Sequence, residues 1–253
     1  MKERLQKLIS AAGLCSRRRA EEWIVQGKVT VNGGLARLGD SADPETDVIL
    51  IDGEPLPAAR SETVTVLLYK PRGVVTTLAD EKGRRTVAEL LPPELGRLYP
   101  VGRLDQFSEG LLLMTNDGAL AQRLTHPAGE ADKTYRLWVS GWRPEALALL
   151  RRPSVLDGRP IAPPQVRLLW AKKAPTSPAC HSEQSEESVP TAALEITIHE
   201  GRNRQIRRMA QSAGLTVTRL KRVAEGGLTL GDLKPGEWRR LTEAELQQLK
   251  IES

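Results

Sequence analysis

Tyr99-Pro100-Val101-Gly102-Arg103-Leu104-Asp105-Gln106-Phe107-Ser108-Glu109-Gly110-Leu111-Leu112-Leu113-Met114-Thr115-Asn116-Asp117-Gly118 is the stretch on which the reading of this chain turns. The apolar run over 111–115 predicts a buried strand. Ahead of it lies a polar loop, a position from which a rigid scaffold can hold Asp105 toward a substrate. Taken alone, a loop Asp is more often a turn former or helix cap. Asp117 illustrates that plainer role, since Asn116-Asp117-Gly118 stands between the strand and a helical pattern at 118–125 and needs only turn and N-cap functions.

Upstream, Val64-Thr65-Val66-Leu67-Leu68-Tyr69 predicts a second buried strand, followed by a Lys70-Pro71-Arg72-Gly73 turn and a strand over Val74-Val75-Thr76-Thr77. Downstream, strands are expected at 134–139, 193–199 and 215–220. Helical patterns lie at 144–151, 203–213 and 243–250, the last with a Thr242/Glu245 capping-box spacing. Residues 64–253 therefore predict an α+β (mixed α/β) domain with a mixed or mainly antiparallel sheet and flanking helices. Between Ala174 and Thr191 the chain is rich in Pro, Ser and Glu and has no Lys or Arg, which reads as a flexible acidic insertion (174–191). Its Cys180-His181 pair has no neighbours to complete a metal-ligand set.

The first fifty-odd residues form a separate pattern. Leu5, Leu8, Ile9 and Ala12 keep helical spacing up to Gly13, and Ser16 is placed to cap a second helix carrying Ala20, Trp23 and Ile24 and ending at Gly27. Lys28-Val29-Thr30-Val31 then meets Asn32-Gly33, and Val48-Ile49-Leu50-Ile51 meets Asp52-Gly53, two strand-plus-turn signals of the hairpin type. Residues 1–56 thus predict two helices and a small β-ribbon, with 57–63 as a linker. Basic residues concentrate in the helices, at Lys2, Arg4, Lys7, Arg17, Arg18, Arg19 and Lys28. The triplet Arg17-Arg18-Arg19 falls in a helix's first turn, where the helix dipole disfavours cations. Phosphate contact and a merely solvated charged face both remain open for it.

Composition narrows the remaining choices. The 253 residues carry 37 Lys+Arg against 32 Asp+Glu, and 26 of the basic residues are Arg, which grips phosphate and carboxylate with a bidentate fork. Only nine aromatic residues occur, too few for a base-stacking platform along a single strand. Two distant cysteines and three histidines argue against a structural zinc site, so no metal is expected. Neither GxxxxGK[ST] nor HExxH is present. With no apolar run near the roughly 18 residues of a membrane span and no signal-peptide core, a cytoplasmic protein without membrane association is expected.

Leu5-Gln6-Lys7-Leu8, Cys15-Ser16-Arg17-Arg18, Ala20-Glu21, Gly27-Lys28-Val29-Thr30-Val31-Asn32-Gly33 and Gly39-Asp40 resemble the S4 RNA-binding domain. The 99–118 stretch resembles the catalytic loop of pseudouridine synthases, in the S4-containing branch that modifies bacterial ribosomal RNA. Lys70-Pro71-Arg72-Gly73, Leu124-Thr125-His126-Pro127, Lys133-Thr134-Tyr135, the 200–209 segment Glu200-Gly201-Arg202-Asn203-Arg204-Gln205-Ile206-Arg207-Arg208-Met209 and the 228–239 segment continue the likeness in order. The large-subunit (23S) branch is the nearer one by Leu124-Thr125-His126-Pro127 and Gly201-Arg202-Asn203-Arg204.

The resemblance implies conversion of a uridine in ribosomal RNA, free or in a pre-ribosomal particle, to pseudouridine by a monomer that needs no cofactor. It implies Asp105 as the catalytic carboxylate, either attacking C1′ or removing the ribose 2′-proton. Arg207 is implied as the cation that keeps Asp105 ionised, and Tyr135 as the residue packing against the extruded uracil. Tyr135 shares a strand face with Leu137 by alternation, so a core tyrosine is the competing reading. Arg103 is expected to contact phosphate or assist base flipping, with an ion pair as the alternative. Arg202, Arg204 and Arg208 are expected on the RNA backbone, because residues 200–222 hold seven basic residues and one acid.

Two departures from the family pattern bear on these expectations. Gln106-Phe107-Ser108-Glu109 replaces small polar residues after the Asp, and Glu109 is expected to repel phosphate or to raise the pKa of Asp105 if the two approach. Ala224-Glu225-Gly226 stands where more apolar residues are expected. Altered or lost catalysis, leaving an RNA-binding assembly factor, and a 16S-specific synthase are the alternatives these departures keep open.

Overall fold

A computed structural model describes residues 1–58, 62–126, 131–172 and 189–251. The chain divides into two compact units, one of Met1–Thr63 with Pro93–Arg97, the other of Val64–Pro92 with Leu98–Ser253.

In the first unit α1 (Leu5–Ala11) and α2 (Arg17–Val25) precede two hairpins, β1 (Val29–Val31) with β2 (Gly34–Leu35) and β3 (Ile49–Ile51) with β4 (Glu54–Pro55). The hairpins join through β1 and β3 in one antiparallel sheet. The capping expected of Ser16 is present, its hydroxyl accepting from the Arg19 amide at 3.1 Å. Asn32 and Gly33 have φ of 50° and 81°, and Asp52 and Gly53 have 49° and 89°. Both turns thus take the positive-φ pairs that match the strands' right-handed twist. Leu5, Ile9, Ala20 and Ile24 from the helices bury against Val29 and Ile49.

The second unit is built on a nine-stranded sheet. In chain order it contains β5 (Thr65–Lys70), β6 (Tyr99–Val101), β7 (Glu109–Thr115), α3 (Gly118–Thr125), β8 (Lys133–Ser140), α4 (Glu145–Leu150), β9 (Ser154–Leu156), β10 (Arg159–Ile161), β11 (Gln165–Lys172), β12 (Thr191–Ile198), α5 (Gln205–Ser212), β13 (Thr216–Glu225), β14 (Leu228–Thr229), β15 (Trp238–Arg240) and α6 (Glu243–Ile251). The main order is β11-β12-β8-β13-β7-β5-β15, with β14 beside β13 and β6 beside β7, while β9 and β10 form their own hairpin. All pairings are antiparallel except β13 on β7. The expected α+β class with a mainly antiparallel sheet is the one found.

β5 and β7 are buried along their whole length, which explains their unbroken apolar runs. Their Leu67, Leu111 and Leu113 pack with Leu120, Leu124 and Leu249 from the flanking helices. Asp117 caps α3 through the amides of Ala119 and Leu120 at 2.9 and 3.0 Å. The Thr242/Glu245 box forms reciprocally: Thr242 N donates to Glu245 Oε2 at 2.9 Å, and Glu245 N donates to Thr242 Oγ1 at 3.3 Å. Gly110 is required where it stands, with φ of 108°. A Cβ there would lie 2.1 Å from the Arg222 carbonyl oxygen, so any side chain would push β13 off β7.

Three expectations change. Residues 74–77 form no strand and contribute only a bridge between Val75 and Thr86; Thr76 is drawn instead to Leu104, its hydroxyl donating to the carbonyl at 2.7 Å. β11 was not expected, because its exposed edge position leaves no clean apolar alternation. Of the expected insertion at 174–191, residues through 188, with Cys180 and His181, lie outside the described residues, and Thr191 already belongs to β12, where it pairs with Lys172. Among the described residues no helix is long and apolar enough to cross a membrane.

Candidate active site

The loop between β6 and β7 carries Asp105, and its backbone is held from several directions. Ser108 N donates to Asp105 O at 3.0 Å, closing a tight turn. Gly73 N donates to Gln106 O at 2.8 Å, and Gln106 Nε2 returns a bond to Gly73 O at 3.2 Å. Beneath the loop, Lys70 is fully buried and its ammonium donates to the carbonyls of Ser108 at 2.8 Å and Pro71 at 3.0 Å. Burial lowers the Lys70 pKa to about 8, although Asp105 and Glu109 pull the other way. The Lys70-Pro71-Arg72-Gly73 turn is thus a support for the Asp105 loop. Sequence reasoning found the motif but missed this role of Lys70, whose signal was a lysine ending an otherwise apolar strand.

Arg207 reaches the same loop from α5, donating to Phe107 O at 3.1 Å and Ser108 Oγ at 3.4 Å, and to Val217 O at 3.3 Å. Burial, with Arg204 nearby, lowers its pKa, while Asp105 opposes that shift. Arg207 was expected as the cation beside Asp105; it is bonded to the Asp105 loop and feels the charge of that carboxylate, while the guanidinium within ion-pair distance is Arg204, at 3.9 Å. Arg204 has a left-handed backbone, φ 51°, at the N-cap of α5.

Tyr135 lies on β8 opposite Ile196 and Arg222, beside an irregularity in the β8–β13 register, and is 7% exposed. Burial raises its pKa, with Arg222 opposing. Arg222 is itself buried, donating through Nε to Leu111 O at 2.7 Å and lying 3.2 Å from the buried Glu225 carboxylate. Lys133 stands 3.8 Å from the other Glu225 oxygen. The Glu225 that departs from an apolar pattern is therefore the counter-charge for the buried Arg222 and the half-buried Lys133.

Asp105, Arg103, Tyr135 and Arg204 line one cavity of about 280 Å³. Arg103 and Tyr135 also face an adjoining cavity of about 800 Å³, walled by His126, Lys133, His199 and the β9–β10 hairpin residues Leu156, Asp157 and Arg159. The two adjoining spaces are large enough for an extruded nucleotide with room for its neighbours. Arg103 is exposed and has no ion pair among the described residues.

Other expected contacts are placed differently. Arg202 makes four internal bonds, to Glu200 Oε2 at 2.9 Å and to the carbonyls of Leu156, Arg159 and Pro160 at 3.0, 3.1 and 2.7 Å. Arg208 binds both oxygens of Asp157 at 2.9 Å. Both clamp the β9–β10 hairpin, and Arg202 also lines the two cavities described above. Glu109 is also corrected: buried, it accepts from Tyr69 Oη at 3.0 Å and Arg219 Nε at 2.5 Å. Burial alone would push its carboxyl up, but those two partners hold it below the ordinary range.

In the first unit Lys2, Arg4, Arg17 and Arg18 are exposed. Lys7 pairs with Glu3 at 2.5 Å and Arg19 with Glu22 at 2.5 Å. Among the described residues Arg17 and Arg18 have no ion-pair partner, and no group of three or more His, Cys, Asp or Glu side chains is arranged to hold a metal ion.

A carboxylate beside a guanidinium, a buried tyrosine and two adjoining cavities thus lie together in the second unit. Residues 64–212 match the RNA pseudouridylate synthase family and residues 3–48 the S4 domain; the chain belongs to the RNA pseudouridylate synthase family. It is 42% identical over 249 residues to a ribosomal large subunit pseudouridine synthase B of Bacillus subtilis (strain 168), covering 98% of this chain and 96% of that one. An uncharacterized RNA pseudouridine synthase of Aquifex aeolicus (strain VF5) is 38% identical over 252 residues, covering 98% of this chain and 94% of that one. Among solved structures, one described as a pseudouridylate synthase superposes with a TM-score of 0.65 at 28% identity, covering 97% of this chain and 99% of the other.

Proposed function

We propose that this enzyme isomerises a uridine of large-subunit (23S) ribosomal RNA to pseudouridine in the cytoplasm, acting as a monomer on free RNA or a pre-ribosomal particle. The observation that carries the reading is the joint placement of Asp105, Arg204 and Tyr135 around one cavity. The name of the Bacillus relative supports the large subunit as the target. Residues 1–56 would supply RNA affinity, 57–63 the linker and 64–253 the reaction.

The isomerisation is balanced within the substrate. The C1′–N1 bond breaks, a C1′–C5 bond forms, C5 loses its proton and N1 gains one. Arg204 lies 3.9 Å from Asp105, and the carboxylate is the form that acts whether Asp105 attacks C1′ or takes the 2′-proton. Tyr135, buried beside the carboxylate, packs against the extruded uracil and stands at the site where the C5 proton must leave. Arg207 and Lys70 contribute by fixing the loop, because a carboxylate misplaced by about 1 Å loses roughly a hundredfold in rate. Extruding the base costs roughly a few kcal/mol, and Arg103 at the mouth is positioned to hold the RNA during that step.

Incubating the protein with unmodified 23S and 16S transcripts carrying 5-tritiated uridine tests the proposal. Wild type is expected to release tritium from 23S RNA, and Asp105→Asn is expected to abolish that release while RNA binding persists. Release from 16S alone would move the target to the small subunit. Tight binding without release from either transcript, or from immature particles, would return the chain to an assembly role.

A further inference from the structure

Phe107 is the single phenylalanine of the chain and, at 57% exposure, its most exposed aromatic side chain. An apolar ring in water is unremarkable on a loose loop, but this loop is moored on both sides of the ring. Gln106 O accepts from Gly73, Ser108 O accepts from the buried Lys70, and the carbonyl of Phe107 itself accepts from Arg207. The backbone is fixed while the ring is left out. One residue, Gln106, separates it from Asp105, so the Cα atoms lie within about 8 Å of each other. The ring lines neither of the two cavities. It stands outside them, flanked by segments that carry the exposed cations Arg72, Arg103 and Arg204. A lone aromatic among arginines is suited to nucleic acid, because an apolar protein partner would require further apolar surface around it.

A base swung out of its helix leaves a gap between its former neighbours, and apolar side chains inserted between base steps fill such gaps. We propose that Phe107 is such a wedge: it enters the RNA stack as the target uridine is drawn toward Asp105, and so selects for substrates in which that uridine is stacked or paired. This rests on reading the site as one that acts on an extruded uridine. Phe107 is then a positioning residue, for it contacts the neighbours of the reacting base and leaves the reacting atoms to Asp105 and Tyr135. The rigid mooring has a function in this arrangement, since a wedge on a loose loop would yield instead of parting the stack.

The test uses single-turnover tritium release from a 23S fragment made in two forms, one with the target uridine paired and one with the opposing base changed so that it is unpaired. Phe107→Ala is expected to slow the paired form by roughly 10- to 100-fold and to leave the unpaired form within about twofold. Phe107→Trp is expected to retain the wild-type rate and Phe107→Leu to fall between. Equal rates for wild type and Phe107→Ala on the paired form, or an equal loss on both forms, would overturn the wedge. If wild type releases no tritium from any ribosomal RNA, the functional reading fails separately. The wedge is then decided by 2-aminopurine fluorescence beside a uridine in an RNA hairpin, where a larger rise for wild type than for Phe107→Ala supports it and equal signals overturn it.

Discussion

The two arginine-rich segments look alike on paper and differ in three dimensions. In α2, Arg17 and Arg18 project from a first turn into solvent with no ion-pair partner among the described residues. In the 202–222 segment most guanidiniums are engaged inside the molecule: Arg202 and Arg208 with the β9–β10 hairpin, Arg219 with Glu109 and Arg222 with Glu225 and the Leu111 carbonyl. Only Arg204 and Arg207 of that segment turn toward the Asp105 loop. Arginine density therefore marks an exposed, unpaired face among the described residues in the first case and mostly an internal frame around the site in the second.

The largest effect that would test this contrast is at Arg222. Arg222→Met leaves Glu225 buried beside Lys133 alone, and is expected to cost about 3–5 kcal/mol of stability, read as a drop in urea midpoint. A stable variant that loses only RNA affinity would break the distinction. Arg202→Ala comes next, at about 1–3 kcal/mol, because three carbonyls lose their donor. Its salt dependence of RNA binding is expected to match that of wild type. The smallest stability effect belongs to Arg17→Ala with Arg18→Ala, near zero in thermal unfolding. That pair is instead expected to weaken RNA binding and to flatten the log–log salt slope by about one per lost phosphate contact. An unchanged slope would make the α2 arginines a solvated face and remove the contrast.

What was legible in the residues is local. The Ser16 cap, the Asp117 cap, the Thr242/Glu245 box and the Asn32-Gly33 and Asp52-Gly53 turns all form within three or four residues, so spacing alone specifies them. The buried strands β5 and β7 were legible because a strand covered on both faces must be apolar throughout. Asp105 and Tyr135 were legible through the family pattern, and they do line one cavity. The partners of Glu109, Arg202 and Arg222 were not. Arg219, the Leu156 carbonyl and the Leu111 carbonyl, which they meet, lie 110, 46 and 111 residues away, and nothing in the local pattern distinguishes a charge that will meet such a distant group from one that will face water.

By itself the sequence determined the two-part organisation, the α+β class and the loop that carries the carboxylate, because caps, turns and apolar runs act over one or two turns of chain. Only the tertiary structure decided which charges serve the site. The approach of β13 to β7, possible because Gly110 has no side chain, brings Arg219 to Glu109 and Arg222 to Leu111. The start of α5 brings the Arg204 guanidinium within ion-pair distance of Asp105 and the Arg207 guanidinium onto its loop. Charge pairing depends on distances of a few ångström between segments far apart in sequence, and those distances exist only once the sheet has closed.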